Sequence, residues 1–230
     1  MSLFAIADTH LSLGTDKPMD IFKGWSDYVE RLEKNWRLLV KEDDTVVIAG
    51  DISWAMKLEE CEKDFTFLEN LPGKKIILKG NHDYWWATKK KMDEYIEKMG
   101  FKTLNILFNN SYSCGDFALC GTRGWCLEPE SEEDTKVLNR ELGRLKTSID
   151  CAKKLDCKEM VAFFHYPPVF GDKECTPIID LLIENGIKKC YYGHLHGSMA
   201  KRYAVNGIYR DIEFRLISCD NINFTPFLVR

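Results

Sequence analysis

Every histidine in this chain sits in a short polar cluster that follows an apolar run, and that arrangement narrows the fold more than any other feature. There are five: His10, His82, His165, His194 and His196. The runs before them are Leu3 to Ala7, Lys75 to Lys79, "MVAFF" at 160–164 and "KKCYYG" at 188–193, while "TVVIAG" at 45–50 leads into Asp51. Short runs rich in aliphatic and β-branched residues, closed by turn formers, read as buried strands. Between them the apolar period becomes helical. Trp25, Tyr28, Val29, Leu32, Trp36, Leu39 and Val40 fall on one helical face. Residues 56–70, 87–99 (stopped by Gly100), Glu130 to Lys154 and Thr176 to Glu184 read as further helices. Shorter strands are expected at 104–108 and 116–120, and short alternating strands after Gly197. Those from Tyr203 to Val229 are expected to complete a second sheet. With no repeat, linker or low-complexity tract, residues 1–230 are expected to form a single layered α/β domain.

The clusters are Asp8-Thr9-His10, Gly50-Asp51, Gly80-Asn81-His82-Asp83, His165-Tyr166-Pro167-Pro168 and Gly193-His194-Leu195-His196. Each lies just past the carboxyl end of a strand, the edge at which open α/β sheets bind ligands. Residues two apart in extended chain point the same way, so Asp8 with His10, and His194 with His196, can serve one ligand. Mixed imidazole and carboxylate donors suit iron, manganese or zinc better than calcium, which takes oxygen alone. Glycine before Asp51, Asn81 and His194 lets the backbone turn sharply there.

In type and order these blocks resemble the calcineurin-like metallophosphoesterases, whose pattern is D-x-H, G-D, G-N-H-[DE], a lone His, then G-H-x-H. All five blocks are present, from Asp8 to His196. The resemblance implies a two-sheet β-sandwich flanked by α-helices, in four layers α/β/β/α. It implies two divalent metal ions, manganese, iron or zinc. One would be held by Asp8, His10, Asp51 and His196, the other by Asp51, Asn81, His165 and His194, with Asp51 shared. His82 would stabilise or protonate the leaving group, with Asp83 orienting its ring. Two dications outweigh two aspartates and a bridging hydroxide, so such a site attracts a phosphoester. The implied activity is that of a phosphatase or phosphodiesterase. The alternative is a metal-binding scaffold of the same fold used for protein interaction.

Other residues are read from the chain alone. Tyr84 and Trp85, with Trp86, either form a stacking wall for a substrate ring or pack beneath a neighbouring loop. Arg123 either reaches a phosphate oxygen or joins an ion pair. The gaps between blocks leave no room for a large cap domain. That favours an open cleft for a phosphorylated small molecule or a phosphoprotein. A net charge of −4 gives no footprint for duplex nucleic acid. No apolar stretch is long enough to span a bilayer, and the start "MSLFAIADTH" has no leader pattern. Nine cysteines without a CxxC pair are expected to be reduced thiols of a cytoplasmic protein.

Overall fold

The computed structural model of the chain describes residues 1–125 and 128–230. It opens with β1 (Leu3–Ile6), α1 (Tyr28–Leu39), β2 (Thr45–Ala49), α2 (Glu62–Glu69), β3 (Lys74–Leu78), α3 (Lys89–Met99) and β4 (Leu104–Ile106). Then come β5 (Tyr112–Cys114), β6 (Phe117–Thr122), α4 (Glu132–Ala152) and β7 (Glu159–Phe164), followed by the small hairpin β8 (Val169–Phe170) and β9 (Lys173–Glu174). The chain closes with α5 (Thr176–Glu184), β10 (Lys189–Tyr192), α6 (Gly197–Tyr203), β11 (Gly207–Tyr209), β12 (Ile212–Leu216) and β13 (Phe227–Leu228).

The strands form two main sheets, in the orders β13-β1-β2-β3-β4 and β11-β12-β10-β7-β6-β5. The four strands from β1 to β4 are parallel, and so are β6, β7, β10 and β12. Parallel strands need crossovers, and the helices supply them. Alternation along each strand then divides the core. In β1, Phe4 and Ile6 face the helices while Leu3 and Ala5 face the other sheet. Val46 and Ile48 pack with Trp36 and Phe65 beneath α1 and α2, whereas Val47 and Ala49 meet Val161 and Phe163 between the sheets. Ala162 and Phe164 turn outward to Leu145 of α4 and Ile179 of α5. The layers are therefore helix, sheet, sheet, helix, the metallophosphoesterase arrangement that the sequence leads one to expect. Because both faces of each sheet are covered, the central strands read as unbroken apolar runs.

Local chemistry fixes the helix ends. The Thr88 hydroxyl accepts from the Lys91 amide, and Gly100 closes α3 in the left-handed region at φ 73°. Ser131 caps α4 by accepting from Asp134. Some boundaries differ from expectation. Trp25 precedes α1 but is still buried in its core. The stretch 56–70 divides into a 3₁₀ turn, Leu58–Cys61, and α2. Gly197 opens a short helix rather than a strand, and β13 joins the first sheet, pairing antiparallel with β1. Lys75 is fully buried in β3, where its ammonium donates to the carbonyls of Leu71 and Gly73. Burial pulls that ammonium down to about 8. Cys61, Cys114, Cys120, Cys151, Cys157, Cys190 and Cys219 are free thiols, and Cys126 lies outside the described residues. No helix among the described residues is long and apolar enough to cross a membrane.

Candidate metal centre

The carboxyl ends of both parallel sets converge. The Ala7 amide donates to the Ile217 carbonyl and Ala7 bridges Ser218, so the exits of β1 and β12 lie side by side. Asp8, His10, Asp51 and His194 all have left-handed backbones, at φ 61°, 45°, 51° and 72°. Such conformations cost of order 1–3 kcal/mol each and persist where the surroundings over-determine them. Here hydrogen bonds do so. Asp8 and His10 donate their amides to Gly50 and Asp51, the His82 amide donates to Asp51 Oδ1 (2.7 Å), and the His194 amide donates to Asp8 Oδ2 (2.9 Å). The close approach requires glycine at two points. A Cβ on Gly80 would stand 2.1 Å from Asp51 Oδ1, and one on Gly193 would stand 2.5 Å from Asp8 Oδ2.

Two groups of side chains could each hold a metal ion: Asp8, His10 and His196, and Asp8, Asp51 and His165. Within them His196 Nε2 lies 3.4 Å from Asp8 Oδ1 and His165 Nε2 3.5 Å from Asp51 Oδ2, and His10 Nε2, 3.8 Å from the same oxygen, links the two groups. Asn81 joins the second group, with Oδ1 at 2.6 Å from His165 Nε2 and 2.9 Å from His194 Nδ1. All seven expected ligands are thus gathered, with one difference. Asp8, as well as Asp51, faces donors of both groups.

The ring orientations are set from behind. His165 Nδ1 is 3.1 Å from the Ala49 carbonyl, which can only accept, so that nitrogen carries the proton and Nε2 keeps its lone pair. His196 Nδ1 is 2.8 Å from Asp220 Oδ1, which turns Nε2 towards Asp8. Asp220 also accepts from the Gly197 amide. Sequence reading missed Asp220. Its signal was a carboxylate four residues past the end of β12, hidden by that strand's alternation of Ile212, Phe214 and Leu216 with Glu213 and Arg215.

The charges are crowded. Burial, then the nearby charges of Asp8 and Asp83, push Asp51 up to about 9. Burial opposes ionisation of Asp8 too, but the charge and hydrogen bond of His196 lead the causes that outweigh it and hold its carboxyl well below the usual range. Burial drives His10 and His165 down to about 3, keeping both neutral. His196 rises to about 10 because Asp8 and Asp220 overcome its burial penalty. Protons thus gather among these donors in the place where cations would neutralise the carboxylates. His10 also keeps a buried ring nitrogen, Nδ1, without a hydrogen-bond partner. Neutral imidazoles, carboxylates and an amide oxygen fit transition-metal ions.

One expected contact goes elsewhere, and two open alternatives are decided. Asp83 does not orient His82. Its Oδ2 accepts from the amides of Asp51 (2.9 Å) and Gly80 (2.7 Å), and its Oδ1 from Ile52 (2.8 Å), Ser53 (3.3 Å) and Trp85 Nε1 (3.1 Å). A fully buried carboxylate surrounded by donors is more useful as a clamp between two loops than as a ring support. Trp85 is no substrate wall, because it is 2% exposed and packs edge-on to Phe65. Arg123 lies over the rings of Trp125 and Tyr166, 3.9 Å from Glu141, in a recess apart from the metal-ligand groups. Tyr84 is exposed, with its ring edge against His82.

His82 itself is beside the cluster, its ring centroid 5.8 Å from His10 and 4.6 Å from Trp54. Burial holds its imidazolium below the usual range, and its Nδ1 has no partner. Above these groups opens a cavity of about 510 Å³, floored by His10, Asp51, His194 and His196 and walled by Trp25 and Trp54.

The sequence model of the calcineurin-like phosphoesterases matches residues 1–198. No curated protein matches the chain. Among solved structures, a protein of unknown function from Aquifex aeolicus is 16% identical, with 99% of this chain and 95% of that one covered and a TM-score of 0.51. A phosphopantetheinyl hydrolase from Mycobacterium tuberculosis is 14% identical, covering 94% and 88% at a TM-score of 0.56. A Thermus thermophilus protein is 12% identical, covering 87% and 86% at 0.54. At these identities the likeness is one of fold.

Proposed function

This chain belongs to the calcineurin-like phosphoesterase family, and on that premise we propose that it hydrolyses phosphoesters at a binuclear metal centre. Asp8, His10, Asp51 and His196 would hold one divalent ion, and Asp51, Asn81, His165 and His194 the other. Manganese, iron or zinc suits these donors. The observation that carries the reading is the convergence of Asn81 Oδ1 on two imidazole nitrogens beside a carboxylate common to both groups. When bound, such ions supply Lewis-acid activation of water near neutral pH and charge compensation for the phosphoryl oxygens.

The protein's own groups do the rest. Asp51, tied by the His82 amide and held in place by the Asp83 clamp, fixes the distance between the two halves of the site. His82, neutral at working pH, offers an N–H to the departing oxygen. Trp54, stacked on His10 at 5.0 Å, shields that ring from water. Water adds to phosphorus as the P–O bond to the organic group breaks, and the alcohol leaves with a proton. The free thiols fit a reducing, cytoplasmic setting.

The test is hydrolysis of p-nitrophenyl phosphate and its bis-ester by manganese-loaded protein. Turnover of either, lost in His82→Ala while two ions per chain stay bound, is the expected result. An inert wild type with both ions bound would point instead to a scaffold.

A further inference from the structure

The geometry points to a substrate whose departing group is an alkyl or aryl body, seated on an apolar wall made by the segment after β1 and the loop after β2. The inference rests on the phosphoesterase reading and adds the class of ester. A cavity of about 510 Å³ is far larger than a phosphoryl group needs and lies in the range of whole small-molecule sites. Its floor is the ligand cluster, and one side is Met19, Phe22, Trp25 and Trp54. Trp54 brings no free hydrogen-bond donor to this side, because its indole N–H is engaged by the Met19 sulfur at 3.2 Å. The wall begins where His82 stands, 4.6 Å from the Trp54 ring, so the group lying on it is the one that departs. Phe22 is 53% exposed and its neighbour Ile21 74%, an outlay of open apolar surface that a bound hydrocarbon would cover. Lys23 lines the same cavity and the Lys17 ammonium lies 5.1 Å over Trp54, giving the rim the charge to receive an anionic ester. A polyol, a nucleoside or a peptide would leave its hydrogen-bonding groups facing this wall unpaired.

The experiment compares methyl, butyl and hexyl phosphate, whose leaving alcohols are of similar basicity, and in parallel measures calorimetric binding of the matching alkylphosphonates. Burying a methylene is equivalent to about 0.8 kcal/mol, or roughly fourfold. Butyl phosphate is therefore expected to exceed methyl phosphate by more than tenfold in kcat/KM. Phosphonate affinity should rise in step, with a heat-capacity change that grows more negative along the series. Phe22→Ser should flatten both slopes, whereas Ile208→Ser, on the remote edge strand β11, should leave them as in wild type. Hydrolysis that is indifferent to chain length overturns the apolar subsite and leaves the phosphoesterase reading intact. Phosphonate affinity that climbs with chain length, without turnover of any ester, keeps the subsite and removes the activity. A slope that survives Phe22→Ser unchanged overturns the proposed wall.

Discussion

Asp83→Asn replaces a charged acceptor with an isosteric amide, and the structure gives the size of the effect. The carboxylate takes three donors on Oδ1 (the Ile52 and Ser53 amides and Trp85 Nε1) and two on Oδ2 (the Asp51 and Gly80 amides). The asparagine oxygen can serve the group of three, which leaves an NH₂ facing the other two N–H donors. Hydrogen bonds to a charged acceptor contribute about 1.5–3 kcal/mol, and neutral ones about 0.5–1.5. Losing two and weakening three amounts to about 4 kcal/mol or more, a large share of the 5–15 kcal/mol typical of a folded protein. The released amides belong to Asp51 and Gly80, so the left-handed turn at Asp51 should relax and metal should bind more weakly. The assay is urea unfolding of wild type and variant at pH 7.5, with and without manganese, alongside metal content by mass spectrometry. Burial raises Asp83 only to about 6, so the wild-type group is ionised at that pH. A loss of unfolding free energy below about 0.5 kcal/mol with unchanged metal content would refute the clamp. A variant that kept its stability and metal but lost turnover would instead assign Asp83 to the support of His82.

Three other outcomes are expected. Asp220→Ala should weaken one ion by about 10–100-fold, the usual effect of removing the group behind a metal-bound histidine. Titration with manganese then shows one tight and one weak site, and equal weakening of both would contradict the geometry. Gly80→Ala should abolish tight metal binding, since its Cβ would fall 2.1 Å from Asp51 Oδ1, and retained two-ion stoichiometry would show that the loop can move. Burial lowers Lys75 from 10.5 to about 8, so between those values the unfolded chain binds the extra proton. This group's contribution is therefore full above 10.5 and lost as pH falls through 8, and stability should rise with pH across that window by up to about 3 kcal/mol. Urea midpoints at pH 7, 8.5 and 10 in wild type, against a flatter profile in Lys75→Met, test the sign.

The strand ends were legible because a polar cluster directly after an apolar run marks the point where a buried strand leaves the core. The convergence of Asp8, Asp51, Asn81 and the histidines follows from parallel strands ending on one edge. Asp83 was misread because sequence adjacency to His82 says nothing about which donors surround a carboxylate. Three of its five donors come from residues 51 to 53, about thirty positions upstream. Trp85 and Tyr84 differ for a similar reason, since neighbours in a turn point opposite ways and only one meets the core. The crossing of β13 to the first sheet depends on a pairing between the two ends of the chain, which local periodicity does not encode.

The candidate ligands divide by layer. Asp8, His10, Asp51 and Asn81 hang from the first sheet, and His165, His194 and His196 from the second. An ion gripped from both would act as a rivet through the seam of the sandwich. Chelation should then let the two sheets shear at their active edge while each keeps its own ladder of hydrogen bonds. Amide exchange would register that loosening first at residues 49–51 and 193–196, before either sheet frays.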